Sequence, residues 1–151
     1  MYKIILASNS KVRKKILDEN GIECTVFPSN LDEESAKESL INEKIGPELI
    51  SKNLAELKAN KVSLKFNNEI ILGADSVIDL KGELISKPKN REEAFEILKK
   101  LNGKKHYLIS SVCVSKNGSM IWNYTDKATL TMKKMSDEDL KEYLSKISDD
   151  A

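Results

Sequence analysis

The sequence predicts an α/β fold in which a mixed central sheet is flanked by helices. Three observations lead to this fold: strand-like apolar segments alternate with amphipathic helical segments, short glycine-containing turns join some of the strands, and the residues are 40% hydrophobic but only 5% aromatic. Alternating strands and helices favour parallel strand pairs, whereas tight turns join antiparallel ones. We therefore expect both kinds of pairing in one sheet, with a core of Ile, Leu, Val and Ala.

The N-terminal half is predicted to contain two short strands and a long helix. Residues 3–8 and 22–27 have the apolar character of buried strands, and residues 29–46 form a polar loop with a short helix. Pro47 opens a long helix over residues 47–65, because proline is favoured in the first turn. Its apolar residues recur at helical spacing and are expected to face the core: Leu49, Ile50, Leu54, Leu57 and Val62.

The strand predicted over residues 69–75 ends on a carboxylate. Residues 70–72 are apolar on both faces of the strand, and Asp75 is expected at its C-terminal edge. In open α/β sheets ligands bind beyond this edge, where a carboxylate can hold a metal ion or accept a proton from water. Asp is also common as a turn cap, and the residues themselves leave both roles open.

The C-terminal half is predicted to contain helices and a hairpin. Asn90 is a helix cap, because Glu93 follows it at capping-box spacing. Two long strands come next and are joined at Asn117-Gly118, a strong hairpin signal. Ser136 then caps the last helix.

The charge and cysteine content exclude several classes of protein. With 25 basic and 24 acidic residues, the formal net charge is +1, which is unlike a general nucleic-acid-binding or membrane-surface protein. No stretch approaches the roughly 20 apolar residues of a membrane span, and the N-terminus is unlike a signal peptide. We expect a cytoplasmic protein in which Cys24 and Cys113 are buried free thiols rather than a disulfide.

Small hydroxyl side chains occupy a junction between a strand and a helix. Ser8 and Ser10 precede the first helix, and Arg13 lies in its first turn among several lysines. Free backbone N–H groups and the helix dipole attract phosphate groups to such a position. The same residues are also typical of an N-capped surface helix with solvated lysines. The spacing of the residues alone favours this second interpretation over a phosphate site.

Three further features have two interpretations each. Asp32, Glu33 and Glu34 could supply oxygen ligands to a divalent metal, but alone they favour the acidic first turn of a helix. Lys58 could extend from the long helix to solvent or to a bound anion, and its spacing does not decide between them. His106 is the only histidine and is interpreted as a structural hydrogen-bonding residue rather than a catalyst.

Six short motifs occur in an order that is typical of one protein family. They are LASNS with Arg13, Asp32-Glu33, residues 54–59, residues 73–77, Lys87-Pro88 and residues 103–106. Taken together they resemble the Maf family of cytoplasmic nucleoside triphosphate pyrophosphatases, and the resemblance extends over nearly the whole chain.

This resemblance implies a nucleotide-binding cleft in a fold similar to that of the inosine-triphosphate pyrophosphatases. It also implies hydrolysis of a nucleoside triphosphate to the monophosphate and pyrophosphate, a divalent metal cofactor (Mg²⁺ or Mn²⁺) and, often, a homodimer. By motif position Asp75 corresponds to the proton acceptor, and we expect Glu33 and Asp75 to hold the metal. The residues expected to bind substrate are Ser8, Ser10, Arg13, Glu33, Lys58, Ser76 and Lys87.

The chemistry of a triphosphate accounts for the lysines. A triphosphate carries about four negative charges at neutral pH, and negative charge shifts onto the pyrophosphate as it leaves. Lys58 and Lys87 can neutralise this charge as positive point charges. Pro88 restricts the backbone of Lys87 to extended conformations and so helps to direct it. Asp75 is expected to accept a proton from the water that attacks the α-phosphorus.

The chain departs from the family pattern in two ways. Lys11-Val12-Arg13 stands where the family commonly has Pro-Arg-Arg, and Ser76 stands where Thr or Gln is usual. The positions of Val12 and Ser76 help to set base preference in the family, so the preferred base stays open. The family is usually longer, and residues 1–151 are expected to form a single Maf-like domain that lacks the usual C-terminal tail. The alternative function is a non-catalytic nucleotide-binding regulator of cell division or septum formation.

Overall fold

The computed structural model describes residues 3–147, so the ends of the domain expected over residues 1–151 lie outside the described residues. Among the described helices, none is both long and apolar enough to cross a membrane. In chain order the elements are β1 (Ile4–Leu6), α1 (Lys11–Glu19), β2 (Cys24–Val26), α2 (Glu33–Asn42), α3 (Pro47–Ser63), β3 (Ile70–Leu80), β4 (Glu83–Ile85), α4 (Arg91–Leu101), β5 (Lys105–Lys116), β6 (Ser119–Thr131) and α5 (Asp137–Ser145).

The strands of the described region form one sheet with both kinds of pairing. Their order is β2-β1-β3-β5-β6, and β4 also pairs with β3. β1 is parallel to β2 and β3, whereas β5 is antiparallel to β3 and β6. Asn117 and Gly118, which join β5 to β6, have φ values of 52° and 85°, as a two-residue hairpin turn requires. The predicted mixed α/β sheet is therefore confirmed.

The central strand β3 continues beyond the point at which the sequence pattern ends it. Asp75 lies in the middle of this strand, so the expectation that Asp75 ends a strand is wrong. The physical reason is that β5 pairs with β3 without interruption from Ile71 to Asp79. This partner lies far away in the sequence, and its hydrogen bonds hold the backbone extended past the carboxylate.

The opposite edge of β3 contains a gap in the sheet. β1 pairs with β3 only as far as Leu72, and β4 joins the same edge at Ile78. Among the described strands none pairs with residues 73–77 on this edge. Asp75 therefore lies just beyond the carboxyl ends of β1 and β2, where a parallel sheet offers space to a ligand.

Helix α3 packs closely on β3 through small side chains. A Cβ atom at Gly73 would meet the Ala55 carbonyl oxygen and lie 2.8 Å from Ala59 N, and both alanines are fully buried. Leu49 and Leu57 are 54% and 42% exposed, so the prediction that they face the core is wrong. The buried face of α3 includes Ser51, Ala55, Lys58 and Ala59, and Leu49 and Leu57 lie outside this face. The other predicted core residues of α3 are buried, namely Ile50, Leu54 and Val62.

Local predictions about caps and cysteines are confirmed. Asn90 Oδ1 accepts a hydrogen bond from Glu93 N at 2.8 Å, and Ser136 Oγ caps α5 in the same way. Cys24 and Cys113 are both buried and both free.

Candidate active site

The gap beside β3 opens into a cavity of about 330 Å³. Its walls come from the β1–α1 loop, the segment after β2, the helices α2 and α3, the middle of β3 and the segment after β4. Asp75 lines this cavity together with all seven residues that were expected to bind substrate: Ser8, Ser10, Arg13, Glu33, Lys58, Ser76 and Lys87. The structure thus brings these residues together, while their individual roles remain predictions.

Lys58 links two carboxylates inside this cavity. Its Nζ lies 2.7 Å from Glu33 Oε1 and 3.2 Å from Asp75 Oδ1. It also donates a hydrogen bond of 3.2 Å to the Ala74 carbonyl. Carbonyls of alternate residues in a strand point to the same edge, and the Leu72 carbonyl already bonds to the chain just after β1. Lys58 therefore fills the gap in the sheet and satisfies the Ala74 carbonyl, which none of the described strands reaches.

The two carboxylates have pKa values displaced in opposite directions. Burial raises the pKa of Asp75 above its ordinary value, although the charges of Lys58 and Lys37 oppose the rise. Burial also acts to raise the pKa of Glu33, but the hydrogen bond and charge of Lys58, together with the charges of Lys37 and Arg13, outweigh it, and the net pKa is lowered. Environments that displace the pKa values of two neighbouring carboxyl groups in opposite directions are typical of acid–base sites.

The β1–α1 loop positions an arginine over the cavity. Ser8 Oγ accepts hydrogen bonds from Ser10 N at 3.1 Å and from Arg13 Nη1 at 3.2 Å. Ser10 Oγ accepts from Arg13 N at 3.2 Å and so caps α1. The loop can therefore both cap the helix and form a phosphate-binding site, since the capped helix α1 also places Arg13 at the cavity. Burial lowers the pKa of Arg13, whereas the charges of Asp75 and Glu33 act to raise it.

Ser76 and Lys87 occupy different parts of the cavity wall. Neighbouring residues of a strand point to opposite faces, so the Ser76 hydroxyl lies on the other face of β3 from the Asp75 carboxylate. Ser76 Oγ is 3.0 Å from Ser110 Oγ. Lys87 is exposed and precedes Pro88 after β4. Lys87 adds a positive charge to the rim of the cavity.

The sequence interpretation missed two polar residues that lie at the cavity or contact Asp75, namely Lys37 and Ser51. Lys37 lines the cavity one helical turn after Glu33, and the spacing of four residues in a predicted helix could have revealed it. Ser51, fully buried, donates a 3.1 Å hydrogen bond to the Asp75 carbonyl. His106 is buried outside the cavity, and its Nδ1 has no hydrogen-bond partner within residues 3–147.

The donor atoms of this cavity suit a hard divalent cation. Asp75 Oδ2 is buried and has no hydrogen-bond partner in the described part of the chain. Residues 3–147 contain no group of three or more His, Cys, Asp or Glu side chains that could hold a metal by themselves. Mg²⁺ requires only one or two protein carboxylates when phosphates and waters complete its coordination. Glu33 and Asp75 fit that requirement.

Comparison with known proteins identifies the family. The family model described as Maf-like protein matches residues 3–150. A protein of Pelagibacter ubique named nucleoside triphosphate pyrophosphatase is 70% identical over 146 residues, which cover 97% of this chain and 75% of that protein. A protein of Ruegeria sp. with the same name is 37% identical over 143 residues, covering 95% of this chain and 72% of that protein.

A solved structure supports the fold. The nucleoside-triphosphatase and dITP/XTP pyrophosphatase of Mycobacterium abscessus has a TM-score of 0.52 at 12% identity, and the match covers 85% of this chain and 73% of that chain. The observed sheet agrees with the expected similarity to inosine-triphosphate pyrophosphatases. From the family match over nearly its full length, we conclude that the chain belongs to the Maf-like protein family.

Proposed function

We propose that the chain hydrolyses a nucleoside triphosphate to the monophosphate and pyrophosphate, as a hydrolase acting on acid anhydrides. The names of the two relatives support this activity in general terms. The observation that carries the proposal is the contact of Lys58 with both Glu33 and Asp75, in a cavity whose wall also holds Arg13 and Lys87. Carboxylates and cations gathered in this way suit a polyphosphate and an attacking water.

In this proposal Asp75 is the proton acceptor. Burial raises its pKa, which makes it a stronger base than an exposed aspartate, and its Oδ2 atom has no hydrogen-bond partner within residues 3–147. Lys58 holds the other oxygen, Oδ1, and so fixes the orientation of the carboxylate. Asp75 accepts the proton of the water that attacks the α-phosphorus, and pyrophosphate leaves.

Glu33 and Asp75 are the residues that would hold a divalent cation, Mg²⁺ or Mn²⁺. When bound, such an ion neutralises phosphate charge and polarises the phosphoryl oxygens. Arg13 and Lys87 bind phosphate oxygens from the rim of the cavity, with Ser8 keeping the guanidinium of Arg13 in place. These roles divide charge neutralisation between the protein and the ion.

The substitution Asp75→Asn tests the central role. It keeps the shape of the side chain but removes the base, so turnover should fall by about 10²-fold or more while binding of the triphosphate is retained. Asp126→Asn is the matched control, because it makes the same change on the exposed strand β6 outside the cavity. Near-normal turnover in Asp75→Asn would refute the assignment of the base.

The products decide between this function and its alternative. Purified protein is incubated with canonical and modified nucleoside triphosphates and Mg²⁺ or Mn²⁺, and the products are separated. Pyrophosphate with monophosphate is the expected result, and the best substrate identifies the base. Tight binding without any product would favour the non-catalytic regulator of cell division instead. Sedimentation of the same sample tests the expected homodimer.

A further inference from the structure

Lys37 is a cation in the cavity that the family motifs do not include. It lies in α2, one turn after Glu33, and lines the same cavity as Asp75. Its positive charge acts on both carboxylates and lowers the pKa of each, so the ammonium group lies within electrostatic range of both. Within residues 3–147 Lys37 makes no hydrogen bond, ion pair or ring contact. Its side chain is therefore available to a ligand.

Lys37 also stands where two cavities meet. A second cavity of about 660 Å³ lies between α2, the strand β4 and α4. The two cavities share three lining residues, Glu33, Lys37 and Lys87. A ligand that extends from Asp75 toward the second cavity must pass Lys37 and Lys87.

Two other cations of the cavity, Lys58 and Arg13, are already committed to protein groups. Lys58 contacts two carboxylates, at 2.7 Å and 3.2 Å, and these neutralise its charge. Arg13 is held by Ser8 and lies near the same carboxylates. A triphosphate brings about four negative charges, which leaves a demand for further cations in this cavity.

We propose that Lys37 binds the polyphosphate chain of the substrate, together with Lys87. This inference rests on the proposed function and identifies a binding residue that the motifs do not show. The lysine ammonium group has three donors, and hydrogen bonds between it and phosphate oxygens are charge-assisted and strong.

The test measures binding of two probes by calorimetry, inorganic triphosphate and a hydrolysis-resistant nucleoside triphosphate analogue. Lys37→Ala should weaken binding of both by about tenfold, which is the loss expected for one charge-assisted hydrogen bond. Lys37→Arg should retain most of the affinity. Lys133→Ala, which removes an exposed lysine outside both cavities, should bind like the wild type. Equal unfolding midpoints would show that the variants fold alike.

Steady-state kinetics separate this inference from the proposed function. For a residue that holds the substrate, KM rises by about tenfold in Lys37→Ala and kcat changes little. If triphosphate binding is weakened by Lys37→Ala but the wild type releases no pyrophosphate, the inference stands and the proposed function fails. If the wild type releases pyrophosphate and Lys37→Ala binds both probes like Lys133→Ala, the inference is overturned and the function stands.

Discussion

The ammonium nitrogen of Lys58 lies 3.2 Å from Asp75 Oδ1, and both side chains are almost fully buried. α3 carries the lysine and β3 the carboxylate, so the pair depends on how closely this helix packs on the sheet. Gly73 permits that approach, two residues before Asp75. The close packing of α3 on Gly73 therefore helps to bring the positive charge of Lys58 to the carboxylate of Asp75.

Lys58→Met should destabilise the fold by about 3 kcal/mol at pH 8, because it leaves two carboxylates in a largely buried site without their cation. The loss should be smaller at pH 5 than at pH 8, since the pKa of Asp75 rises further without Lys58 and a larger fraction of the carboxyl group is protonated at the lower pH. Urea unfolding at the two pH values measures the difference. The double variant Lys58→Met/Asp75→Asn should recover most of the lost stability. An equal loss at both pH values would show that the charge pairing is unimportant.

Gly73→Ala should destabilise the protein by about 2 kcal/mol or more, because the new methyl group overlaps backbone atoms of α3. Those atoms include Ala59 N at 2.8 Å, and a helix backbone cannot move aside as a flexible side chain can. Gly46→Ala is the matched control: a Cβ there meets no atom within 4 Å, and the change should cost less than about 1 kcal/mol. Chemical unfolding measures both variants. Hydrolysis should also fall in Gly73→Ala, since α3 carries Lys58.

The sequence was most informative about which residues share the cavity and less so about the backbone that carries them. A charge after an apolar run drew attention to Asp75, and this residue does line the cavity. Its position within β3 could not be recognised, because the strand is extended by hydrogen bonds to β5, from Ile71 to Asp79. Pairing over such a separation leaves no local pattern.

Helix α3 shows a different limit of sequence interpretation. Hydrophobic spacing selected Leu49 and Leu57, which are exposed, whereas the contact with β3 is made by Ala55 and Ala59. Small residues carry little hydrophobic signal, although close packing requires them. Lys37 was missed for another reason: a lone lysine on a short polar helix is typical of a solvated surface.

Ser8→Ala should reduce kcat/KM by about tenfold, chiefly through KM, because it frees the guanidinium of Arg13. Ser10→Ala provides the comparison. It removes the cap of α1 and should cost about 1 kcal/mol of stability, with a smaller effect on KM. Kinetics and urea unfolding of the two variants distinguish these roles. A larger KM effect in Ser10→Ala than in Ser8→Ala would contradict the proposed role of Ser8.

The cysteines should be inert in the folded protein. Burial raises the pKa of Cys113 to about 11, so its reactive thiolate is scarce at pH 8. Cys24 is also buried. Ellman's reagent should therefore label both thiols rapidly only after denaturation. Rapid labelling of Cys113 in the native state would show that α3 and β5 separate readily.

The acid limb of the kcat/KM profile should report the ionisation of Asp75. Since burial raises the pKa of this group, activity should fall on acidification at a higher pH than the ordinary aspartate pKa of about 3.9 would give. Glu33→Gln removes a negative charge that raises the pKa of Asp75. It also leaves Asp75 as the one carboxylate of this pair that contacts Lys58. Its residual activity should therefore show an acid limb at lower pH. If the acid limb of Glu33→Gln lies at the same pH as that of the wild type, the limb reports the ionisation of a group other than Asp75.

The same pKa displacement has a consequence for stability, with a definite sign. A carboxyl group with a raised pKa in the folded state binds its proton more tightly there than in the unfolded chain, so its contribution to stability falls as the pH rises through the folded pKa. Asp75→Asn should accordingly be at least as stable as the wild type at pH 8, and this advantage should shrink toward pH 4. Lys58 keeps Glu33 as its partner at 2.7 Å in this variant. Urea midpoints across this range test the prediction, and an advantage that grows on acidification would mean that the fold lowers the pKa of Asp75.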